Sequence, residues 1–260
     1  MTDQLEGCFR SENMKHYHGT PLTPTADMVQ AFTARHAMVS FAHPQQMEIA
    51  AEVCQSLVLD NGAFPAWKKG IVYDFDGFAD WAGKWLKHPC VEWCVIPDRI
   101  DGSEADNDAL LRDWGLPKAW SVPVFHMHES IDRLVRLAAD FPLVALGSSG
   151  EFAEVGDTKW WLRMADMMDA ICDNEGRPAC KLHGLRMLDP GVFSKLPLSS
   201  ADSTNVARNV GMDSAWRQAY APHSRAVRAL ILMERIERHA SAAYWDRACI
   251  GAYQNNQLFG

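Results

Sequence analysis

The sequence predicts a closed (β/α)8 barrel, and three observations carry that expectation. Short apolar runs alternate eight times with longer amphipathic stretches. Strands that alternate with helices pair in parallel, and eight such units suit a closed ring. No Gly-rich dinucleotide loop follows the first run, which argues against an open doubly wound sheet. A chain of 260 residues fits such a barrel as one domain, so residues 1–260 are read as a single barrel with a helical C-terminal segment over about 210–260.

The units follow in order. "MKHYHGT" (14–20) precedes "ADMVQAFTARH", and "AMVSFAHP" (37–44) precedes "QQMEIAAEVC". "SLVLDNGAF" (56–64) precedes "FDGFADWAGKWLKH", and "VEWCVIPD" (91–98) precedes "EADNDALLRDWG". "SVPVFHMHES" (121–130) precedes "IDRLVRLAADF", whose Leu134, Leu137 and Ala138 recur at helical spacing. "LVALGSSGEF" (143–152) precedes "KWWLRMADMMDAICDNEG", and "ACKLHGLRML" (179–188) precedes the short "PGVFSKL". Last, "LSSADST" (198–204) leads into the long C-terminal helical region.

Composition narrows the function classes. The 48% hydrophobic content and 22% charge are those of a globular protein with a substantial core. No run of about 18 apolar residues predicts a membrane span. The N-terminus has no apolar signal-peptide core, so a cytoplasmic protein is expected, in an infected bacterial host if a phage encodes it. Seven cysteines without a CxxC read as reduced thiols. A net charge of −8 argues against a protein that coats nucleic acid but permits one that grips a few phosphates locally. From Arg208 to Arg247 seven arginines face four acids, which is either an amphipathic helix with ordinary ion pairs or a basic face beside a site.

Active sites of such barrels sit at the C-terminal strand ends. Here those ends carry His18-Gly19-Thr20, Ser40 with His43, Asp60-Asn61-Gly62, Asp98, His126 with His128, Ser148-Ser149-Gly150-Glu151, His183-Gly184 and Asp202-Ser203-Thr204. Asp60, Asp98 and Asp202 stand out. An Asp after a strand often caps the next helix or makes a turn, and the Asp101-Gly102 turn signal strengthens that reading for Asp98. Paired carboxylates also suit substitution at a sugar's anomeric carbon, where one attacks and another handles the leaving group's proton. Their environments must then hold the two pKa values apart. A rival lies in the histidines: His16 and His18, His126 and His128, and His183, with a carboxylate from the eighth strand, could hold a divalent metal. That pattern resembles the amidohydrolase superfamily, but Ser148 and Ser149 stand where the sixth strand should bring a His, and no bridging Lys follows the fourth. "GSSGE" (147–151) is either a Gly-rich turn or a row of N–H groups facing an anion or carbonyl. Phe64 and Trp67 either pack under a helix or stack on a nucleobase.

The motifs "LDNGAF", "VIPDRIDG", "LGSSGEF", "KLHGLRML" and "SADSTNVARN", in that order, resemble the tRNA-guanine transglycosylase superfamily. They are most similar to its bacteriophage branch, the DNA-guanine transglycosylases that place 7-deazaguanine bases in DNA. The resemblance runs from about Tyr17 to Asn209. It implies Asp202 as the nucleophile and Asp60 as general acid/base at the departing and arriving purine. It implies Asp98 as base-recognising, and Gly147, Ser148, Ser149 and Gly150 as a segment that binds the base. His126 stands where the tRNA enzymes carry a glutamine, and His183 joins the substrate-binding set. Thr204, Asn205 and Arg208 fall near the attacked sugar and its phosphate. Lys68, Lys69, Lys181, Arg186 and the C-terminal arginines are candidates for further phosphate contacts. After Asp202 the sequence offers only Cys249 with His223 and His239, so the C-terminal zinc subdomain of the tRNA enzymes is not expected. The implied partners are DNA and a free 7-deazaguanine such as preQ0, with other DNA-modification or nucleotide-metabolism proteins as candidates; no metal or cofactor and no membrane are expected. A tRNA acceptor and a metal-dependent hydrolase are the alternatives.

Overall fold

The computed structural model describes residues 14–211 and 221–250. Its strands are β1 (Lys15–Gly19), β2 (His36–Ser40), β3 (Ser56–Asp60), β4 (Val91–Val95), β5 (Ser121–Val122), β6 (Val124–His126), β7 (Leu143–Gly147), β8 (Lys181–Gly184) and β9 (Ser200–Ser203). They form one parallel sheet in the order β5-β4-β3-β2-β1-β9-β8-β7-β6. The two edges of that order, β5 and β6, are consecutive in sequence and separated only by Pro123. Proline has no N–H to give a ladder, so it breaks the fifth barrel strand into two halves. The first half pairs with β4 (Val95↔Val122) and the second with β7 (Val124↔Ala145), which closes the ring. The chain is thus a (β/α)8 barrel whose fifth strand is split.

The helices are α1 (Thr25–Phe32), α2 (Met47–Val53), α3 (Ala63–Lys69), α4 (Phe75–Trp85), α5 (Glu104–Asp113), α6 (Ile131–Asp140), α7 (Thr158–Ile171), α8 (Pro190–Phe193), α9 (Asn205–Asn209) and α10 (Arg225–Glu237). Their starts are written in the sequence: Ser103, Ser130, Asp157 and Ser224 accept the Asp106, Arg133, Trp160 and Val227 N–H groups, and Ser103 with Asp106 completes a capping box. Asp74 does the same for Gly77 at α4. One expectation is corrected. Residues 63 and 64, read as the end of a strand run, open the extra helix α3, because Gly62 at φ +79° turns the chain sharply out of β3. In the C-terminal segment, α9 is a five-residue helix, α10 is separate from it, and residues 212–220 and 251–260 lie outside the described residues.

Side chains alternate between the two faces of each strand. Tyr17, Met38, Val58, Trp93, Val95, Val122, Val124 and Ala145 form the inner core of the barrel. Between the strands and the helices lie two outer clusters, one around α6 and α7 with Trp160, Trp161 and Met164, the other around α1, α2, α4 and α10 with Phe32, Met47, Phe78 and Met233. At the N-terminal end a bulge opposite Leu57 and Val58 inserts Glu92. Its carboxylate accepts from Lys15 Nζ at 2.5 Å and Tyr17 Oη at 3.0 Å, and His36 Nδ1 meets Ser56 Oγ at 2.8 Å beside them. This polar floor sits at the end of a barrel that serves stability.

The same alternation corrects the histidine reading. Tyr17 faces inward, so His16 and His18 face outward. His18, fully buried, meets Glu237 of α10 at 2.9 Å, and His16 reaches the His239 carbonyl at 3.0 Å. Glu237 also binds Arg35, which ties α10 to the barrel wall. Among the described residues no group of three His, Cys, Asp or Glu side chains is placed to hold a metal. Arg228 donates to the carbonyls of Val210, Pro222 and His223, and Arg247 binds Asp169, so neither is free for phosphate. Lys181 opens β8 and lies at the opposite end from the strand exits. No helix among the described residues is long and apolar enough to cross a membrane.

Candidate functional site

At the C-terminal rim the inward positions become polar. Val58 is inward on β3, so Asp60, two residues on, points into the mouth. Tyr17 pairs in register with Asp202 and shares its inward face; His126 follows Val124, and Gly147 follows Ala145. Below them His183 forms a floor, with its ring edge-on to Trp93 at 4.9 Å and its Nδ1 on Ser200 Oγ at 2.8 Å. Its Nε2 lies 3.4 Å from Asp202 Oδ1. The structure therefore brings Asp60, Asp98, His126, Gly147, His183 and Asp202 to one mouth.

The carboxylates differ in surroundings. Asp60 is half-buried, and burial pushes its carboxyl up from 3.8 to about 7. A hydrogen bond from Ser40 opposes the shift, and the negative charges of Asp202 and then Asp98 add to it. Asp202 is buried, and its Oδ1 accepts the Arg186 N–H at 2.9 Å. Arg186 reaches that position with a left-handed φ of 60°, unusual for a residue with a Cβ. Asp98 does not cap the next helix, a role Ser103 takes. Its Oδ1 accepts from Asn61 Nδ2 at 2.6 Å and its Oδ2 from His126 Nε2 at 2.8 Å. Each oxygen keeps a second lone pair for a ligand donor.

Gly147 is small for a reason on this rim. A Cβ there would stand 3.4 Å from His126 Nδ1 and 3.3 Å from Val124 Cγ1, crowding the imidazole that Asp98 orients. His126 is held from below too: its N–H donates to Glu129 Oε2 at 2.8 Å, and Glu129 pairs with Arg133 at 2.6 Å. Both Glu129 and Arg133 are buried, and Asn107 and Asp108 complete the network. Replacing Glu129 by Ala strands much of that guanidinium's charge. We expect a loss of roughly 3 kcal/mol and a thermal midpoint lower by about 10 °C, measured by calorimetry at pH 7. A midpoint within about 2 °C of wild type would show that the pair contributes little to folding.

Other expected residues lie outside the mouth or have other work. Ser148 Oγ accepts from Trp160 Nε1 at 2.9 Å, on the outer side of β7. Ser149 is buried against His128 Nδ1 at 2.8 Å, and Gly150 makes a left-handed turn over His128. His128 itself is exposed and contacts the Gly102 carbonyl. Thr204, Asn205 and Arg208 are exposed on and before α9, beyond the strand end, where Arg208 remains open to solvent. Thr204 packs over Gly19, where a Cβ would come within 2.6 Å of its methyl.

Sequence reasoning gave no role to Asn61, Ser40, Tyr73 or the Glu129–Arg133 pair. Asn61 Oδ1 caps Ala63 while its amide holds Asp98, and Tyr73 Oη donates to the Asn61 carbonyl at 2.7 Å. The Asp-Asn-Gly order was the available signal for Asn61. Nothing local marks Tyr73, twelve residues from its partner. Arg186 spans the rim, with its guanidinium 4.5 Å above the Phe64 ring.

No family model matches the chain, and no curated protein matches it. Solved structures resemble it only loosely. Mutant forms of the tryptophan synthase alpha-subunit from Pyrococcus furiosus align with TM-scores such as 0.46 and 0.45 at 11% identity, over 87% of this chain and 96% of theirs. A protein from Aquifex aeolicus VF5 aligns with a TM-score of 0.47 at 8% identity, over 90% of this chain and 94% of its own.

Proposed function

We propose that the chain is a base-exchanging transglycosylase that replaces guanine in DNA by a 7-deazaguanine. The observation that carries the reading is the unequal pair of carboxyls on one rim: Asp60 held near neutrality and Asp202 anchored by a backbone N–H. Such a pair supplies an acid and a nucleophile at the same pH.

In the proposed reaction the Asp202 carboxylate attacks C1′ of a guanosine nucleotide. The C1′–N9 bond breaks, its electron pair goes to guanine, and Asp60 gives guanine a proton. An ester between Asp202 and C1′ results. The incoming 7-deazaguanine loses its N9 proton to Asp60, attacks C1′ and frees Asp202. Two inversions give net retention, and the proton returns to where it began. A group that titrates at about 7 can both give and take that proton. Deoxyribose lacks the electron-withdrawing 2′-hydroxyl, so its oxocarbenium-like transition state is easier to reach. DNA rather than tRNA is the proposed acceptor because the motifs are most similar to those of the DNA-modifying branch. Asp98 with His126 and the Gly147 segment are the proposed contacts to the purine edge.

The test is incorporation of labelled guanine, and of preQ0, into a DNA oligonucleotide. Exchange is expected with and without a chelator, and the oligonucleotide adduct, trapped by denaturation, should map to the peptide containing Asp202. Exchange into tRNA alone would change the acceptor. Chelator-sensitive hydrolysis without exchange would replace the reading by a metal hydrolase.

A further inference from the structure

We propose that the tip following β3, Trp67 with Ile71 and Val72 flanked by Lys68 and Lys69, is a wedge that enters a nucleic-acid duplex beside the mouth. The inference rests on the base-exchange reading, which requires the target nucleotide to leave the stack before C1′ can reach Asp202. It adds the part of the protein that holds the duplex open.

Isolated exposed apolar side chains need no explanation, whereas clustered ones do. Six large hydrophobic residues are exposed among the described residues, and three of them fall within six positions: Trp67 at 48%, Ile71 at 59% and Val72 at 93%. The cluster is held out by a defined structure. Gly70 ends α3 in a left-handed conformation (φ +64°), donating to the Trp67 carbonyl, while the Ile71 N–H bonds the Ala66 carbonyl at 3.0 Å. In such a helix end the residue after the glycine ordinarily folds its side chain back onto the last turn. Here Ile71 projects into solvent instead, with Val72 beyond it.

Charge identifies the partner. The whole chain is at −8, yet the tip carries Lys68 and Lys69 side by side, both exposed and without a carboxylate partner among the described residues. The tip is also connected to the mouth. Trp67 lies 5.8 Å from Phe64, Phe64 lies under Arg186, and the Arg186 N–H holds Asp202. The seven residues of α3, which begin beside the mouth and end at the tip, make a helix roughly 10 Å long, about three base steps. An apolar wedge with flanking cations at that reach matches proteins that unstack a base step and grip the neighbouring phosphates. Arg186 and Phe64, between tip and mouth, then meet the nucleotide as it passes.

The experiment uses the full chain with an oligonucleotide carrying 2-aminopurine beside a guanine, as a duplex and as a single strand. Wild type should brighten the duplex probe on binding. The variant with Ile71→Ser and Val72→Ser changes only exposed side chains. It should bind the duplex about tenfold or more weakly, lose the brightening, and bind the single strand within about twofold of wild type. The variant with Lys68→Ala and Lys69→Ala should weaken both and reduce the salt slope by about 2. Unchanged duplex affinity in the serine variant overturns the proposal. So does loss, in that variant, of binding to phosphatidylserine vesicles or of a self-associated form seen by sedimentation, with duplex binding intact. A wild-type protein that brightens the duplex without exchanging guanine keeps the wedge and ends the chemistry; undiminished duplex exchange in the serine variant does the reverse.

Discussion

Asp202→Asn is expected to abolish base exchange, with turnover falling by at least about 10⁴-fold. The amide keeps an oxygen for the Arg186 N–H, so the loop that follows β8 should stay in place and the fold should change little. Oligonucleotide affinity should hold within a few-fold, because the substitution removes bond formation at C1′ and not the surrounding contacts. Three measurements separate these effects: labelled-guanine incorporation, mass spectrometry for the covalent adduct, and filter binding. Exchange within about tenfold of wild type would mean that another group attacks C1′.

Asp60→Asn is expected to lower exchange by roughly 10²–10⁴-fold while making the protein more stable at alkaline pH. The sign follows from linkage. The carboxyl titrates near its ordinary 3.8 in the unfolded chain and at about 7 when folded, so between those values the native state binds the extra proton. Stability therefore falls as pH rises from about 4 to about 7 and levels off above. The amide removes that loss: at pH 8 the variant should gain on the order of 2–4 kcal/mol, and the gain should vanish below about pH 4. Urea titrations at pH 4 and pH 8 read the difference. Ser40→Ala deletes the hydrogen bond that favours the charged form, so the limb of the wild-type pH–rate profile near 7 should move upward. A variant with equal stability changes at both pH values would refute the raised Asp60 carboxyl.

Much of the barrel was legible because its strands are short apolar runs buried on both faces and its helices repeat apolar residues with a period near four. Val58 and Asp60 on β3, and Val124 and His126, share faces by counting alone. The same count could not say which face was inner. His16 and His18 were grouped rightly but faced outward, since the choice depends on Tyr17 finding Glu92 across the barrel, and Glu92 is inward only through a bulge. The split at Pro123 was visible as a residue but not as a closure, because strand pairing is a long-range fact. The tail beyond Asp202 was the least legible part: α9 and α10 are separate helices, and two of the arginines offered for phosphate bind carbonyls or Asp169 instead. Ser148 and Ser149 face outward or inward by the same alternation, yet their partners, Trp160 and His128, are set by packing that no local pattern encodes.

The broken fifth strand has a mechanical consequence. Its first half is laced to β4 only as far as Val122, and its second half belongs to β7. At the height of the rim, the wall between the fourth and fifth strands is therefore joined by side chains rather than by a ladder, with His126 on Asp98 innermost and Asn107 on Glu129 and Arg133 on Asp108 behind it. A ladder of backbone hydrogen bonds yields only by unzipping, whereas the His126–Asp98 side-chain bond can be exchanged for a guest's own hydrogen bonds. In the proposed exchange, this split seam lies where a flat, polar-edged guest would press against it.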